Sequence, residues 1–82
     1  MIFLIEYDPP TRRLVQFRKF QESDRQAAHD ARLELEVALN REGSQHEVVI
    51  LEAPSEEAVR RTHRRYFKNL DELMSESAAK LN

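Results

Sequence analysis

Two short runs of this sequence carry apolar side chains at both odd and even positions, and they limit the folds that the chain can adopt. Residues 2–7 and residues 46–52 are both rich in the aliphatic, β-branched and aromatic side chains that favour strands. Successive side chains of a strand point to opposite faces of its sheet. Each run therefore predicts a strand that is flanked on both sides by other parts of the protein.

Residues 13–20 predict a further strand of a different character. Val15 and Phe17 alternate with polar or charged side chains, which is typical of a half-exposed strand. The five residues before it contain Asp8, Pro9 and Pro10, a combination that favours a turn. The sequence therefore predicts a β-hairpin between the first two strands.

A helix is predicted to begin at Ser23, whose hydroxyl can cap the first turn, with Gln26 three residues later as in a capping box. Gly43, the single glycine, is placed to end this helix in the left-handed conformation. The predicted buried stripe consists mainly of alanines: Ala27, Ala28, Ala31, Leu35, Ala38 and Leu39.

Pro54 and Ser55 mark the start of a second helix, with Ser55 as its cap. We expect this helix to continue to an interruption at residues 69–71. Asp71 then caps a short amphipathic segment within residues 71–82, whose last residues fray. The predicted inner face of the second helix is formed by Ala58, Val59, Thr62, Tyr66, Leu70 and Leu73.

These elements predict one α+β domain covering residues 1–82, with the order ββαβα, two main helices and a two-layer architecture. The chain directions predict a three-stranded mixed sheet, in which the third strand runs parallel to the second and antiparallel to the first. Because the first strand is apolar on both faces, the strand order 2-1-3 is favoured. The order 1-2-3 remains open.

The composition excludes several kinds of functional site. The chain has 82 residues and no cysteine, so it contains no disulfide and no thiolate metal site. A single glycine cannot build a phosphate-cradling loop, and the three histidines have no metal-ligand spacing. We therefore expect no cofactor and no catalytic activity, although an enzyme without a recognisable motif remains the third possibility.

No apolar run approaches the roughly 20 residues of a membrane-spanning helix. The apolar start of the chain lacks the basic region of a signal peptide. We therefore expect a cytoplasmic protein with no membrane contact.

The chain has more apolar surface than three strands and two helices can hide, which predicts self-association as a homodimer. Leu33 and Val37 lie one turn apart, opposite the alanine stripe. His63, Phe67 and Met74 extend the apolar arc of the second helix. Alternatively, these are ordinary exposed apolar residues, or the C-terminal segment folds back over the open face. The favoured function is a non-enzymatic interaction domain.

A basic stripe on the second helix supports an alternative function, a nucleic-acid-binding module or a site for an acidic protein. Its members are Arg60, Arg61, Arg64, Arg65 and Lys68. Arg12, Arg13, Arg18 and Lys19 on the hairpin could extend it. The opposing interpretation is a solvated face, because Glu56–Arg60 and Glu57–Arg61 have ion-pair spacing on a helix.

A last candidate is the set of carboxylates at the ends of two predicted strands. Glu6 and Asp8 end the first strand and Glu52 ends the third. An acid–base or Mg²⁺ site would need them close together. Antiparallel strands place their C-terminal ends at opposite edges of the sheet. We therefore expect this site not to form.

Overall fold

A computed structural model describes residues 1–67. The strands are β1 (Ile2–Asp8), β2 (Arg13–Phe20) and β3 (Glu47–Glu52), and the helices are α1 (Arg25–Glu42) and α2 (Glu56–Thr62). Short 3₁₀ turns cover Glu22–Asp24 and Arg64–Tyr66. The predicted segment at 71–82 and the candidate residues Lys68 and Met74 lie outside the described residues. No helix within 1–67 is long and apolar enough to cross a membrane.

The strand order is β2-β1-β3, and β1 is antiparallel to both neighbours. The predicted order 2-1-3 is therefore confirmed and the order 1-2-3 is excluded. The prediction of a mixed sheet is wrong, because β2 and β3, which run in the same direction, are separated by β1. Every pair of neighbouring strands is antiparallel.

Strand β1 is covered on both faces, as its apolar pattern predicted. On one face, Phe3, Ile5 and Tyr7 form the main core with residues that follow β3, namely Val59, Tyr66 and Phe67. On the other face, Leu4 lies beside residues of α1, and Ala28 of that helix is fully buried. Since alternate residues of a strand face opposite ways, α1 and α2 lie on opposite faces of the sheet. The predicted two-layer arrangement is thus not confirmed.

Aromatic pairs fill the core on the α2 face of the sheet. Phe3 and Phe17 stack with their ring centroids 5.4 Å apart, and Phe17 meets Phe67 edge-on at 5.3 Å. Tyr7 and Tyr66 form a second edge-on pair at 5.2 Å. Such pairs contribute about 0.5–1.5 kcal/mol each beyond the burial of their area. They attach the end of the described chain firmly to β1 and β2.

Helix α1 starts later than the sequence predicted. Its first residue is Arg25, Ser23 lies in the preceding 3₁₀ turn, and no side chain caps the helix at Asp24. The 3₁₀ turn is closed by a backbone hydrogen bond from Asp24 to Gln21, which replaces the predicted serine cap. The other end is as predicted, with Gly43 in the left-handed conformation at φ 67°.

The buried side of α1 is narrower than the predicted alanine stripe. Ala28 and Leu39 are buried, and Leu35 between them is half-buried. Ala27 and Ala38 are exposed, contrary to the prediction. At 100° per residue, both lie about a quarter turn away from the line through Ala28 and Leu39. The helix therefore contacts the sheet along one line and leaves most of its surface in solvent.

Helix α2 begins as predicted and ends early. The Ser55 hydroxyl oxygen accepts the backbone N–H of Ala58 at 3.1 Å, which confirms the cap. The helix stops at Thr62, because His63 leaves helical geometry at φ −126° and ψ 51°. The 3₁₀ turn that follows directs Tyr66 and Phe67 into the core. A continuous helix to residue 68 was predicted, and this part of the prediction is wrong.

Candidate interaction surfaces

The outer face of α1 carries the clearest exposed apolar pair among the described residues. Leu33 is 60% exposed and Val37 is 44% exposed. They are four residues apart on one helix, so their side chains are neighbours. The surrounding positions are polar or charged, and Gln26 donates a hydrogen bond to Asp30 on the same surface. The structure therefore brings together two of the five side chains predicted to mediate self-association.

The other predicted members lie elsewhere. Phe67 is fully buried against Phe17, so it is a core residue and not part of a free surface. The predicted assignment of Phe67 to the self-association surface is therefore wrong, because α2 ends early and the turn after it directs the Phe67 side chain into the core. His63 is half-buried, and its Nδ1 lies 2.9 Å from the Thr62 hydroxyl. Both residues follow β3 on the face opposite α1 and are separated from Leu33 by the sheet.

The described part of the basic stripe is divided between α2 and the 3₁₀ turn after it, and most of it is paired with carboxylates. Arg60 lies 3.7 Å from Glu56, and Arg61 lies 3.0 Å from Glu57. These are the pairs that the helical spacing predicted. Arg60 also stacks its guanidinium over the Phe67 ring at 5.5 Å. These arginines therefore stabilise their own helix and cover the core, and their charge is partly neutralised.

Arg65 is the most constrained arginine of the stripe. One Nη2 atom donates to both carboxylate oxygens of Glu47, at 2.8 and 2.9 Å. The guanidinium lies 5.4 Å from the Tyr7 ring centroid and 5.2 Å from that of Tyr66. The hydrogen bond that Arg65 donates to Glu47 raises the pKa of Arg65, so the side chain stays charged. It covers two buried aromatic rings and connects the 3₁₀ turn after α2 to β3.

An open cleft of about 330 Å³ lies beside Arg65 and is lined by Tyr7, Pro9 and Arg12 as well. Arg12 has no ion pair within residues 1–67, and the same holds for Arg13 and Arg64. Arg18 stacks on Phe20, and Lys19 lies 3.9 Å from Glu56. The hairpin cations are thus spread over both ends of β2 and do not extend a continuous basic stripe.

The structure contains a polar cluster that the sequence did not predict. Glu6 of the central strand is 7% exposed, and its Oε2 lies 2.5 Å from Nδ1 of His46. The other ring nitrogen of His46 is 3.9 Å from Asp8, and the backbone N–H of His46 donates to the Ser44 hydroxyl. One signal could have revealed it: a carboxylate in the middle of a doubly buried strand needs a partner.

The carboxylates at the strand ends are separated, as antiparallel pairing predicted. Glu52 pairs in register with Ile2 at the start of β1, whereas Asp8 ends that strand. Glu52 instead forms an ion pair with Arg25. Within the described part of the chain, no three histidine or acidic side chains are grouped as metal ligands. Glu6 and His46 instead form a hydrogen-bonded pair between β1 and the segment that precedes β3.

Comparison with known proteins gives no relative from which a function could be carried over. No protein-family model, no curated protein and no solved structure matches this chain.

Proposed function

We propose that this chain is a non-enzymatic interaction domain that forms a homodimer through the outer face of α1. The observation that carries the proposal is the exposure of Leu33 and Val37, 60% and 44%, side by side on one helix. Fully burying an aliphatic side chain of this size contributes about 1.5–3 kcal/mol. For a small domain with no cysteine to form a disulfide, a second subunit is the most accessible source of extra burial.

A two-fold axis fits the charges on this helix as well as its apolar residues. In an antiparallel pair of α1 helices, Leu33 of one copy meets Val37 of the partner subunit. The same pairing places the last turn, with Arg41, alongside the first half of the partner helix, with Asp30. Among residues 1–67, Arg41 has no ion pair, and the Asp30 carboxylate accepts a hydrogen bond from the side-chain amide of Gln26 and forms no ion pair. The surface is therefore complementary to itself.

The nucleic-acid alternative has weaker support. Three of the four described members of the basic stripe, Arg60, Arg61 and Arg65, already hold carboxylates of the same chain. A phosphate would have to compete with these pairs. A cytoplasmic location belongs to the main proposal, on the ground that a cysteine-free chain needs no oxidising compartment.

Sedimentation velocity and light scattering across the micromolar range test this function. We expect a concentration-dependent dimer that Leu33→Asp weakens by at least about tenfold, since a charge would have to be buried in the interface. Val15→Asp is the matched control, because Val15 is equally apolar and 50% exposed but lies on β2. Circular dichroism verifies that each variant is folded. A wild-type chain that stays monomeric throughout, or a dimer that Val15→Asp weakens equally, overturns the proposal.

A further inference from the structure

Within residues 1–67 the three-stranded sheet has two edges that no further strand covers, and the hydrogen bonds show which backbone groups each edge leaves unpaired. Met1 and Ala53 exchange both backbone hydrogen bonds, at 2.9 and 3.1 Å. Because the two kinds of antiparallel pair alternate, the odd-numbered residues of β3 bond to β1. The even-numbered residues Val48, Ile50 and Glu52 therefore point their N–H and C=O groups away from the sheet. This row of groups is suited to pair with another strand.

The two edges differ in how well they are protected against such pairing. Strand β2 carries Arg18 and Lys19, and its pairing with β1 is interrupted by a bulge. Charged side chains and bulges are the usual means by which edge strands avoid pairing. The four central residues of β3 are all aliphatic, and the carboxylates at its two ends, Glu47 and Glu52, each hold an arginine. Among the described residues, the edge of β3 therefore carries no unpaired charge that would repel a second strand.

We propose that the open edge of β3 pairs antiparallel with β3 of a second copy, joining the two sheets into one. This inference rests on the proposed self-association and adds to it a contact along the edge of the sheet. When the two-fold axis passes through the Ile50 pair, Ile50 lies opposite Ile50 of the partner subunit and Val48 lies opposite Glu52 of the partner subunit. All the outward-facing residues of β3 are then paired. Each of these pairs exchanges two backbone hydrogen bonds. A two-fold axis perpendicular to the sheet makes the two β3 strands antiparallel, and β3 itself has the required outward groups.

In the same arrangement, the position of α1 brings the Leu33 side of that helix toward its symmetry mate. Helix α1 packs mainly against β3 and β1. Neighbouring strands lie about 4.8 Å apart, and a helix above the gap between β1 and β3 is separated from its symmetry mate by about two such spacings. The two helix axes are then about 10 Å apart, the usual distance between packed helices. Glu36 and Asn40 line a cleft with His46 on the β3 side of α1. Leu33, three and seven residues earlier, shares that side and faces the partner helix.

Amide hydrogen exchange on the wild-type chain, at low and high concentration, distinguishes edge pairing from other forms of dimer. We expect the amides of Val48 and Ile50 to exchange about tenfold more slowly when about nine-tenths of the chains are dimeric, because exchange then proceeds through the remaining monomer. Phe17 and Lys19 are the internal controls. Their amides face the open edge of β2 by the same alternation, and they should exchange rapidly at both concentrations.

The outcomes separate this inference from the proposed function. A dimer in which Val48 and Ile50 still exchange rapidly preserves self-association and overturns edge pairing. Protection that is the same at both concentrations also overturns edge pairing, because the edge would then be covered within one chain. A chain that is monomeric at every concentration removes both proposals. Slow exchange that appears only with the dimer supports both.

A backbone substitution provides an independent test. Ile50→Pro removes an outward N–H and leaves the bonds from β3 to β1 in place. We expect the dimer to weaken at least tenfold while the circular dichroism spectrum is retained. Lys19→Pro is the matched control on the edge of β2 and should leave the dimer unchanged. An unchanged dimer in folded Ile50→Pro contradicts edge pairing, and exchange on the wild type decides the question if either variant fails to fold.

Discussion

The imidazole of His46 and the carboxylate of Glu6 form a 2.5 Å hydrogen bond between Nδ1 and Oε2, on the central strand of the sheet. Glu6 is the one charged residue classed as buried within residues 1–67. An ionised carboxylate only accepts hydrogen bonds, so Nδ1 donates. Removing one partner of such a pair leaves the other buried without compensation. The pair therefore attaches the segment between α1 and β3 to the strand beneath it.

We expect His46→Ala to destabilise the fold by about 1–3 kcal/mol, because the Glu6 carboxylate loses its partner. Glu6→Gln should cost less, since the amide is neutral and can still accept from Nδ1. The double variant Glu6→Gln with His46→Ala should be more stable than His46→Ala alone. Urea unfolding of the four proteins measures this coupling. A cost for His46→Ala within about 0.5 kcal/mol, the range of ordinary surface substitutions, would show that the hydrogen bond contributes little.

A second prediction concerns Phe67 and Leu33, which the sequence assigned to the same surface and the structure separates. Phe67 is fully buried, whereas Leu33 is 60% exposed. We expect Phe67→Leu to lower the free energy of unfolding by about 1–2 kcal/mol through poorer core packing, with no change in the dimer dissociation constant. Leu33→Ala should weaken the dimer and leave the free energy of unfolding of the monomer within about 0.5 kcal/mol of the wild type.

Urea unfolding at a concentration where the chain is monomeric, together with sedimentation at higher concentration, separates these two effects. The assignment of Phe67 to the core is contradicted if Phe67→Leu weakens the dimer and leaves the monomer as stable as before.

A third prediction follows from the contacts of Glu22. Its carboxylate lies 3.2 Å from the N-terminal ammonium of Met1 and 2.6 Å from an Nη of Arg25. The hydrogen bond from the ammonium lowers the pKa of Glu22, and the charge of Arg25 adds to the effect. A carboxyl whose pKa is lower in the folded state stabilises the fold above its unfolded pKa. That contribution is lost as the pH falls through the folded pKa.

Acetylation of the N-terminus should therefore raise the pKa of Glu22 toward its ordinary value. The free energy of unfolding should then fall less steeply as the pH is lowered. Arg25→Gln should shift the pKa in the same direction by a smaller amount, since the ammonium is the larger cause. An NMR titration that follows the Glu22 carboxyl carbon measures both shifts. An unchanged pKa after acetylation would mean that the ammonium contact does not persist in solution.

The sequence predicted several parts of the fold that depend on local patterns, although the predicted Ser23 cap of α1 is wrong. The doubly apolar run at the start of the chain favoured β1 as the central strand, and the strand order in the structure confirms it. The Ser55 cap and the Gly43 helix end were also readable, because each depends on one residue in a known local geometry. These features need no knowledge of distant contacts.

The features that the sequence did not predict depend on tertiary contacts. Helix periodicity continues past Thr62, yet the chain leaves the helix so that Phe67 can pack on Phe17. The hydrogen bond between His46 and Glu6 joins residues forty positions apart in the sequence, and no local sequence pattern predicts it. The candidate self-association surface was partly predicted, since the exposure of Leu33 and Val37 follows from helical spacing alone.

The last prediction concerns two residues that share a backbone conformation but differ in side chain. Gly43 has φ 67° and Arg12 has φ 57°, both in the left-handed region that disfavours most side chains. Arg12 closes the hairpin turn through a 3.2 Å hydrogen bond from its N–H to the Pro9 carbonyl. We expect Arg12→Gly to stabilise the fold by about 0.5–1 kcal/mol, since relief of strain exceeds the extra flexibility of the unfolded chain.

Gly43→Ala is the matched reverse change and should destabilise the fold by about 1 kcal/mol. An added Cβ at Gly43 would meet no atom within 4 Å, so its cost would be purely conformational. Urea unfolding measures whether the free energy of unfolding rises in Arg12→Gly and falls in Gly43→Ala. A loss of stability in Arg12→Gly would mean that the Arg12 side chain makes a stabilising contact beside the cleft that exceeds the backbone strain.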